Sequence, residues 1–310
     1  MLAQVSGVNS GCQNSSLDEF KVDALLKLSK AHFKGGNRAT AEKLAIRAYM
    51  INSEDPAANS AMGVICLAKG DARSAEKFLR RAIELGTDDH SVYGNLGTLY
   101  FSIAMNVESP SDRDDLMEAA TQLYFEAYDM EPGDERTNAN ISALLHAAFK
   151  DAEPDNPLPE YFLKKAITLN PSNDVNWINI STLTGRPAGE LRAIYRVSKA
   201  ELREARFFRS VGKYKLAAIR AEQSLGFYGV FPEKQIEYAE LCLLAYQKTN
   251  DPDFLGSGID ALEDATEVLE ELVSLERESI NSQAKPLLER ARHLIDRIKK
   301  EVRQRESISV

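Results

Sequence analysis

Hydrophobic positions recur three or four residues apart in run after run, separated by short polar stretches, and this spacing predicts amphipathic helices. From Leu28, LSKAHFKGGNRATAEKLAIRAYMIN holds two such runs on either side of Gly35-Gly36. AMGVICLAKGDARSAEKFLRRAIEL, from Ala61 to Leu85, holds two more around Gly70. The last run, AKPLLERARHLIDRIKKEV, places Leu287, Leu288, Ala291, Leu294, Ile295, Ile298 and Val302 on one face. That face predicts a helix that caps the preceding structure or dimerises.

The runs repeat. Leu28-Ser29, His32, Gly36, Ala41, Ala45 and Ala48 become, thirty-four residues later, Met62-Gly63, Cys66, Gly70, Ala75, Leu79 and Ala82. A further thirty-four gives Leu96-Gly97 and Tyr100. A period of this length signals stacked helix-turn-helix units. The small residues Ser29, Gly63 and Gly97, facing Ala pairs such as Ala41/Ala48 and Ala75/Ala82, let two helices approach closely. Gly36 and Gly70 fall at the turns, where a helix C-terminus favours a residue that tolerates positive φ.

This pattern resembles the tetratricopeptide repeat (TPR) family over roughly residues 25–275. The resemblance implies an all-α, right-handed superhelical solenoid of about six to seven repeats with a C-terminal capping helix. Later copies carry Ala120, Tyr124, Ala127 and Pro132; then Ala166, Leu169 and Pro171; then Trp177, Ile180 and Ser181; then Gly212, Tyr214, Ala217 and Ser224. About eleven extra residues between Ile103 and Ala120 predict a longer loop inside the third repeat, and DAEPDNPLP an enlarged turn inside the fourth. A degenerate seventh copy spans about 232–275. ELRAIYRVSKAELREARFFRS reads as one helix of about twenty residues, so the fifth helix B and the sixth helix A are fused or one is missing. The expected organisation is a polar, flexible segment over 1–20, the solenoid over 21–281 and an amphipathic helix with a short tail over 282–310.

The resemblance also implies a concave groove lined by the first helix of each repeat. Its sixth place holds Asn95, Asn140 and Asn179 in repeats three to five. Asn costs about 0.6 kcal/mol against Ala in a helix, and its amide both donates to and accepts from a peptide backbone. These three predict a ladder along an extended chain; hydrogen bonding within each helix pair is the alternative. Lys27, Lys30 and Lys34 line one helix face at the first end, and Lys199, Arg203, Arg206 and Arg209 another near the far end. Between them Ala57, Ala61, Gly94, Ala139 and Ala143 leave room for a bound segment. Lys199 and Arg203 match half of the family's carboxylate clamp, but Ala139 and Ala143 stand where its Lys and Asn belong, so a full clamp is not expected.

Charge then narrows the partner. A net charge of −9 disfavours nucleic acid and anionic membranes, while local basic faces favour an acidic protein segment. No run of eighteen apolar residues occurs, which argues against membrane insertion. The start lacks the basic and apolar regions of a secretory signal, and Asn9 spoils the faint lipoprotein pattern at Ser10-Gly11-Cys12. Three scattered cysteines, Cys12, Cys66 and Cys242, fit a reducing compartment, so a cytoplasmic location is expected. His32, His90, His146 and His293 are dispersed, and no metal, phosphate-loop or nucleophile motif stands out. No cofactor and no enzymatic activity are expected. The leading expectation is an adaptor that binds an extended peptide segment. The alternatives are an assembly component self-associating as a homodimer through its last helix, or a non-catalytic targeting domain of a larger enzyme. The C-terminal SISV is a weak match to tails read by PDZ domains.

Overall fold

The computed structural model describes residues 10–306, with side chains over 17–303, and forms two compact units divided between Glu131 and Pro132. Cys12 and the Ser307–Val310 tail, both weighed in the sequence, lie outside the described side chains and the described residues respectively. The described residues form 14 helices and no strand. The first unit holds α1 (Ser10–Lys34), α2 (Arg38–Ile51), α3 (Pro56–Lys69), α4 (Ala72–Glu84), α5 (His90–Ala104) and α6 (Pro110–Met130). The second holds α7 (Glu135–Phe149), α8 (Leu158–Leu169), α9 (Asp174–Thr184), α10 (Ala188–Ser210), α11 (Tyr214–Tyr228), α12 (Pro232–Thr249), α13 (Asp253–Ser274) and α14 (Glu278–Glu306). Sequential helices pack as pairs: α1 on α2, α3 on α4 and α5 on α6, then α7 on α8, α10 on α11 and α12 on α13. The fold is all-α and TPR-like in each unit.

The repeated small residues sit where the helices of a pair come closest. Ser29 donates its hydroxyl to the Ala41 carbonyl at 2.7 Å, and Ser142 donates to Pro159 at 2.6 Å. At Gly63 and Gly97 there is no room for a side chain. A Cβ on Gly63 would lie 2.7 Å from two carbons of Leu79, and one on Gly97 would lie 2.9 Å from the Tyr124 ring. The facing alanines Ala41, Ala48, Ala75, Ala82 and Ala120 are fully buried.

A second repeated device orients each pair. Asp55, Asp89 and Asp134 cap α3, α5 and α7 by accepting from backbone N–H groups of the first turn. Four residues beyond Asp55 and Asp134, the amides of Asn59 and Asn138 reach back to carbonyls of the preceding loop, Ser53 at 2.8 Å and Pro132 at 3.0 Å. Trp177 makes the same six-residue step with its indole N–H, to Pro171 at 2.9 Å. Two asparagines and a tryptophan thus fill one role, each supplying a buried donor that ties a helix start to its loop.

One expectation needs correction, and two others are refined. The extra residues of the third repeat do not form a long loop. Ser109 caps and Pro110 opens α6, which starts two turns early, because DRDDLMEAA favours a helix. Helix α1 reaches back to Ser10, into the stretch expected to be a flexible N-terminal segment. The uncertain region beyond Thr184 resolves as a fusion. Helix α10 runs unbroken for 23 residues; its first half packs Leu191 and Tyr195 on Trp177 and Ile180 of α9, and its second half packs Ala205 on Ala217, Ala218 and Ala221 of α11. Gly36 and Gly70 adopt φ of 80° and 77°, as their turns require. In α14, Ala284, Leu288, Ala291, Leu294 and Ile298 are buried within the second unit, and Leu287, Ile295 and Val302 are half-buried.

Candidate functional site

The basic face of α10 follows from its length. The uninterrupted run from Ala188 to Ser210 sets Arg196, Lys199, Arg203 and Arg206 on neighbouring turns. Acidic residues of the same helix are turned the other way. Glu201 and Glu204 both pair with Arg220 of α11, at 3.1 Å each. On the basic side Lys199 lies over the Tyr195 ring at 5.6 Å. Among the described residues Arg196, Lys199 and Arg203 meet no carboxylate within salt-bridge distance. Arg206 and Arg209 stand 3.8 and 3.9 Å from Glu237 of α12, and Arg209 is 3.8 Å from Glu240. These are loose, exposed pairs that contribute about 0–1 kcal/mol each. Arg206, Arg209 and Glu237, with Ser210, Tyr214 and Leu244, line an open cleft of about 520 Å³.

The same helix carries exposed apolar groups. Val197, Phe207 and Val211 are 57%, 61% and 50% exposed. Phe207 lies four residues beyond Arg203, on the cationic side, whereas Val197 lies four residues before Glu201, on the opposite side, and Val211 follows the last turn. In α9, which precedes it, Val175 and Ile178 are exposed, as is Asn179.

The structure separates the other expected site residues. Asn95 is in α5 of the first unit and is half-buried; Asn140, half-buried, and Asn179 are in α7 and α9 of the second. Among the described residues neither Asn95 nor Asn179 has a side-chain hydrogen bond. Lys27, Lys30 and Lys34 are exposed on α1, and Lys27 pairs with Asp23 at 2.8 Å. Ala57 and Ala143 are exposed, while Ala61, Gly94 and Ala139 are half-buried.

Beneath α10 lies an aromatic cluster that residue-by-residue reading of the repeat did not anticipate. Trp177, Tyr195, Phe227, Tyr228 and Phe231 stack edge to face or tilted at 4.9–6.3 Å between ring centres. Leu163 and Ile167 of α8 complete it. Phe227 and Tyr228 at the end of α11 pack on Tyr195 of α10, and Phe227 also meets Trp177 of α9. The Ser198 hydroxyl fixes the approach by accepting from the Phe227 N–H at 3.1 Å.

Burial pushes the Tyr228 hydroxyl up to about 12 and the Lys165 ammonium down to about 8, with Glu233 opposing the latter shift. The lysine gives a pH prediction. Below pH 8 it is charged in both states, and the folded state bears the full burial penalty. Between pH 8 and its ordinary 10.5 only the unfolded chain holds the proton, so this contribution raises stability as pH rises. Lys165→Met is therefore expected to be more stable than the parent at pH 7, by roughly 1–3 kcal/mol, and the two are expected to converge above pH 10.5. Urea unfolding across this range measures the difference; a constant difference would refute the assignment.

No protein-family model matches the chain. No curated protein sequence matches it either. Solved structures similar to it include a thermophilic TPR protein of Thermus thermophilus, 17% identical, covering 72% of this chain and 99% of that one, with a TM-score of 0.42. PilF of Pseudomonas aeruginosa is 16% identical over 83% of this chain and 99% of its own, with a TM-score of 0.40. The APC/C Cut9–Hcn1 hetero-tetramer matches at 13% identity over 91% of this chain and 46% of that chain, with a TM-score of 0.38. Among the described residues no helix is long and apolar enough to cross a membrane.

Proposed function

We propose that this protein is a protein-interaction scaffold whose second unit binds an acidic, extended segment of a partner along the basic face of α10. The observation that carries this reading is the cation series Arg196, Lys199 and Arg203, which is exposed and lacks carboxylate partners on a chain with 47 acidic residues against 38 basic ones. In an acidic protein, cations left unpaired are available to a ligand's carboxylates, and guanidinium–carboxylate bonds are stronger than neutral ones. Arg206 extends the series, because its loose contact with Glu237 is easily exchanged. Exposed Asn179 supplies a neutral donor and acceptor for the ligand backbone. Asn95 and Asn140 are the corresponding candidates on their own helices. Nothing in this role requires a catalytic group or a cofactor.

The test is affinity capture from source lysate at low and high salt, with wild type and a Lys199→Glu/Arg203→Glu/Arg206→Glu variant. Capture of a salt-sensitive partner by the wild type alone is expected, with Asn179→Ala weakening it less. A partner retained by the charge-reversed variant, whose helix content is unchanged, would move the site away from α10 and refute the reading.

A further inference from the structure

Helix α1 carries an apolar stripe that no described residue of the first unit covers. Leu17, Phe20 and Leu28 are 51%, 70% and 54% exposed, and Ala24 and Ala31 beside them are exposed too. At three of its places, Ala24, Leu28 and Ala31, the repeat shows what this stripe is. Thirty-four and sixty-eight residues after Ala24 stand Ala58 and Val92, both fully buried. After Ala31 at the same steps stand Ile65 and Leu99, and sixty-eight after Leu28 stands Leu96; all three are buried. Helices α3 and α5 pack against the helix before them, α2 and α4, and Ala58 shares a buried cluster with Ala48 of α2 and Val22 of α1. On α1 the same places form the docking face for a helix, presented to solvent.

The sequence of α1 specifies an occupant. The stripe is symmetric about Ala24: Phe20 and Leu28 lie four residues to either side, Leu17 and Ala31 seven. Charge is antisymmetric. Asp18, Glu19 and Asp23 lie in the first half, against Lys21 alone, while Lys27, Lys30 and Lys34 lie in the second with no acid among them. A helix of this kind is its own complement when reversed. Antiparallel pairing sets Phe20 on Leu28 and Leu17 on Ala31 of the other copy, with the small Ala24 at the crossing. Along one flank it sets Glu19 and Asp23 against the other copy's Lys30 and Lys27.

We propose that α1 is a dimerisation helix: two copies of this chain pack α1 against α1, antiparallel, about a two-fold axis near Ala24. Such an interface is isologous, the commonest form of closed assembly. It differs from self-association through the last helix, since α14 already buries its apolar face within the second unit. It is also independent of the α10 reading. Lys27 and Lys30 become flanking residues of this contact, and their cross-chain partners replace the exposed Lys27–Asp23 pair.

Light scattering of the full chain across the micromolar range tests the proposal. The expected mass is twice 34.4 kDa. Phe20→Glu/Leu28→Glu, both at exposed positions and so compatible with folding, is expected to weaken the dimer by ~100-fold. A charge-swap pair tests the geometry. Glu19→Lys/Asp23→Lys and Lys27→Glu/Lys30→Glu are each expected to self-associate poorly, and to form a mixed dimer when combined. A wild type that stays monomeric overturns the proposal. So does a dimer indifferent to Phe20→Glu/Leu28→Glu, and so does a charge-swap mixture that fails to pair.

Discussion

Gly97→Leu is expected to destabilise the first unit by about 3 kcal/mol, lowering its thermal midpoint by roughly 10 °C, whereas Gly94→Ala, three residues earlier in the same helix, is expected to stabilise it. Both glycines lie inside α5, and a glycine in a helix interior costs about 1 kcal/mol against alanine. Backbone propensity alone would make both substitutions favourable. Space decides between them. A Cβ on Gly94 has nothing within 4 Å. One on Gly97 would stand 2.9 and 3.0 Å from two carbons of the Tyr124 ring and 3.4 Å from the Ala120 carbonyl. That ring is buried, so it cannot turn aside without opening the contact between α5 and α6. Calorimetry of wild type, Gly94→Ala, Gly97→Ala and Gly97→Leu gives the series. Stabilisation by Gly97→Ala comparable to that of Gly94→Ala would show that the close approach of α5 and α6 is not real.

The pair of glycines also shows what was legible in the sequence. Gly97 could be singled out because Gly63 stands thirty-four residues before it and Ser29 sixty-eight before it; Gly94 has no such counterparts. Whatever recurs at the period could be read: the paired helices, the buried alanines and the glycine turns. Two kinds of feature were hidden. The donor four residues past the helix cap is Asn59, Asn138 or Trp177, out of step with the thirty-four-residue period, so the shared hydrogen bond shows only in the backbone geometry. The aromatic cluster joins α8 to α11 across the fusion of two repeats, where the periodic frame itself fails. For the candidate site, spacing placed Lys199, Arg203 and Arg206 on one face of a helix. Only the coordinates show that Arg220 draws off Glu201 and Glu204, leaving Arg196, Lys199 and Arg203 without carboxylates. The uncovered stripe on α1 lay open to the same comparison of repeats, but its exposure depends on what packs beside each copy.

Phe227→Ala is the substitution expected to damage the second unit most, by about 3–5 kcal/mol. The ring is fully buried and meets Tyr195 at 4.9 Å, Tyr228 at 5.5 Å and Trp177 at 6.1 Å between centres. It also lies beneath the ammonium of Lys164, 5.2 Å from the ring centre, in a side chain that is itself buried and paired with Glu160. Removing the ring leaves a cavity at the fusion, where the backbone of α10 is held by α9 on one side and α11 on the other and cannot collapse to fill it. Aromatic pairs add about 0.5–1.5 kcal/mol beyond area burial, so Phe227→Leu, which keeps most of the volume, is expected to recover only part of the loss. Trp177 is the single tryptophan of the chain, and its fluorescence therefore reads this cluster. Urea unfolding followed by that signal is expected to show the midpoint falling in the order wild type, Phe227→Leu, Phe227→Ala, with native-state emission shifted to the red in the last. Equal midpoints for the three would mean that the end of α11 does not pack into this cluster. The basic face of α10 would then lack the rigid support that holds its cations in register.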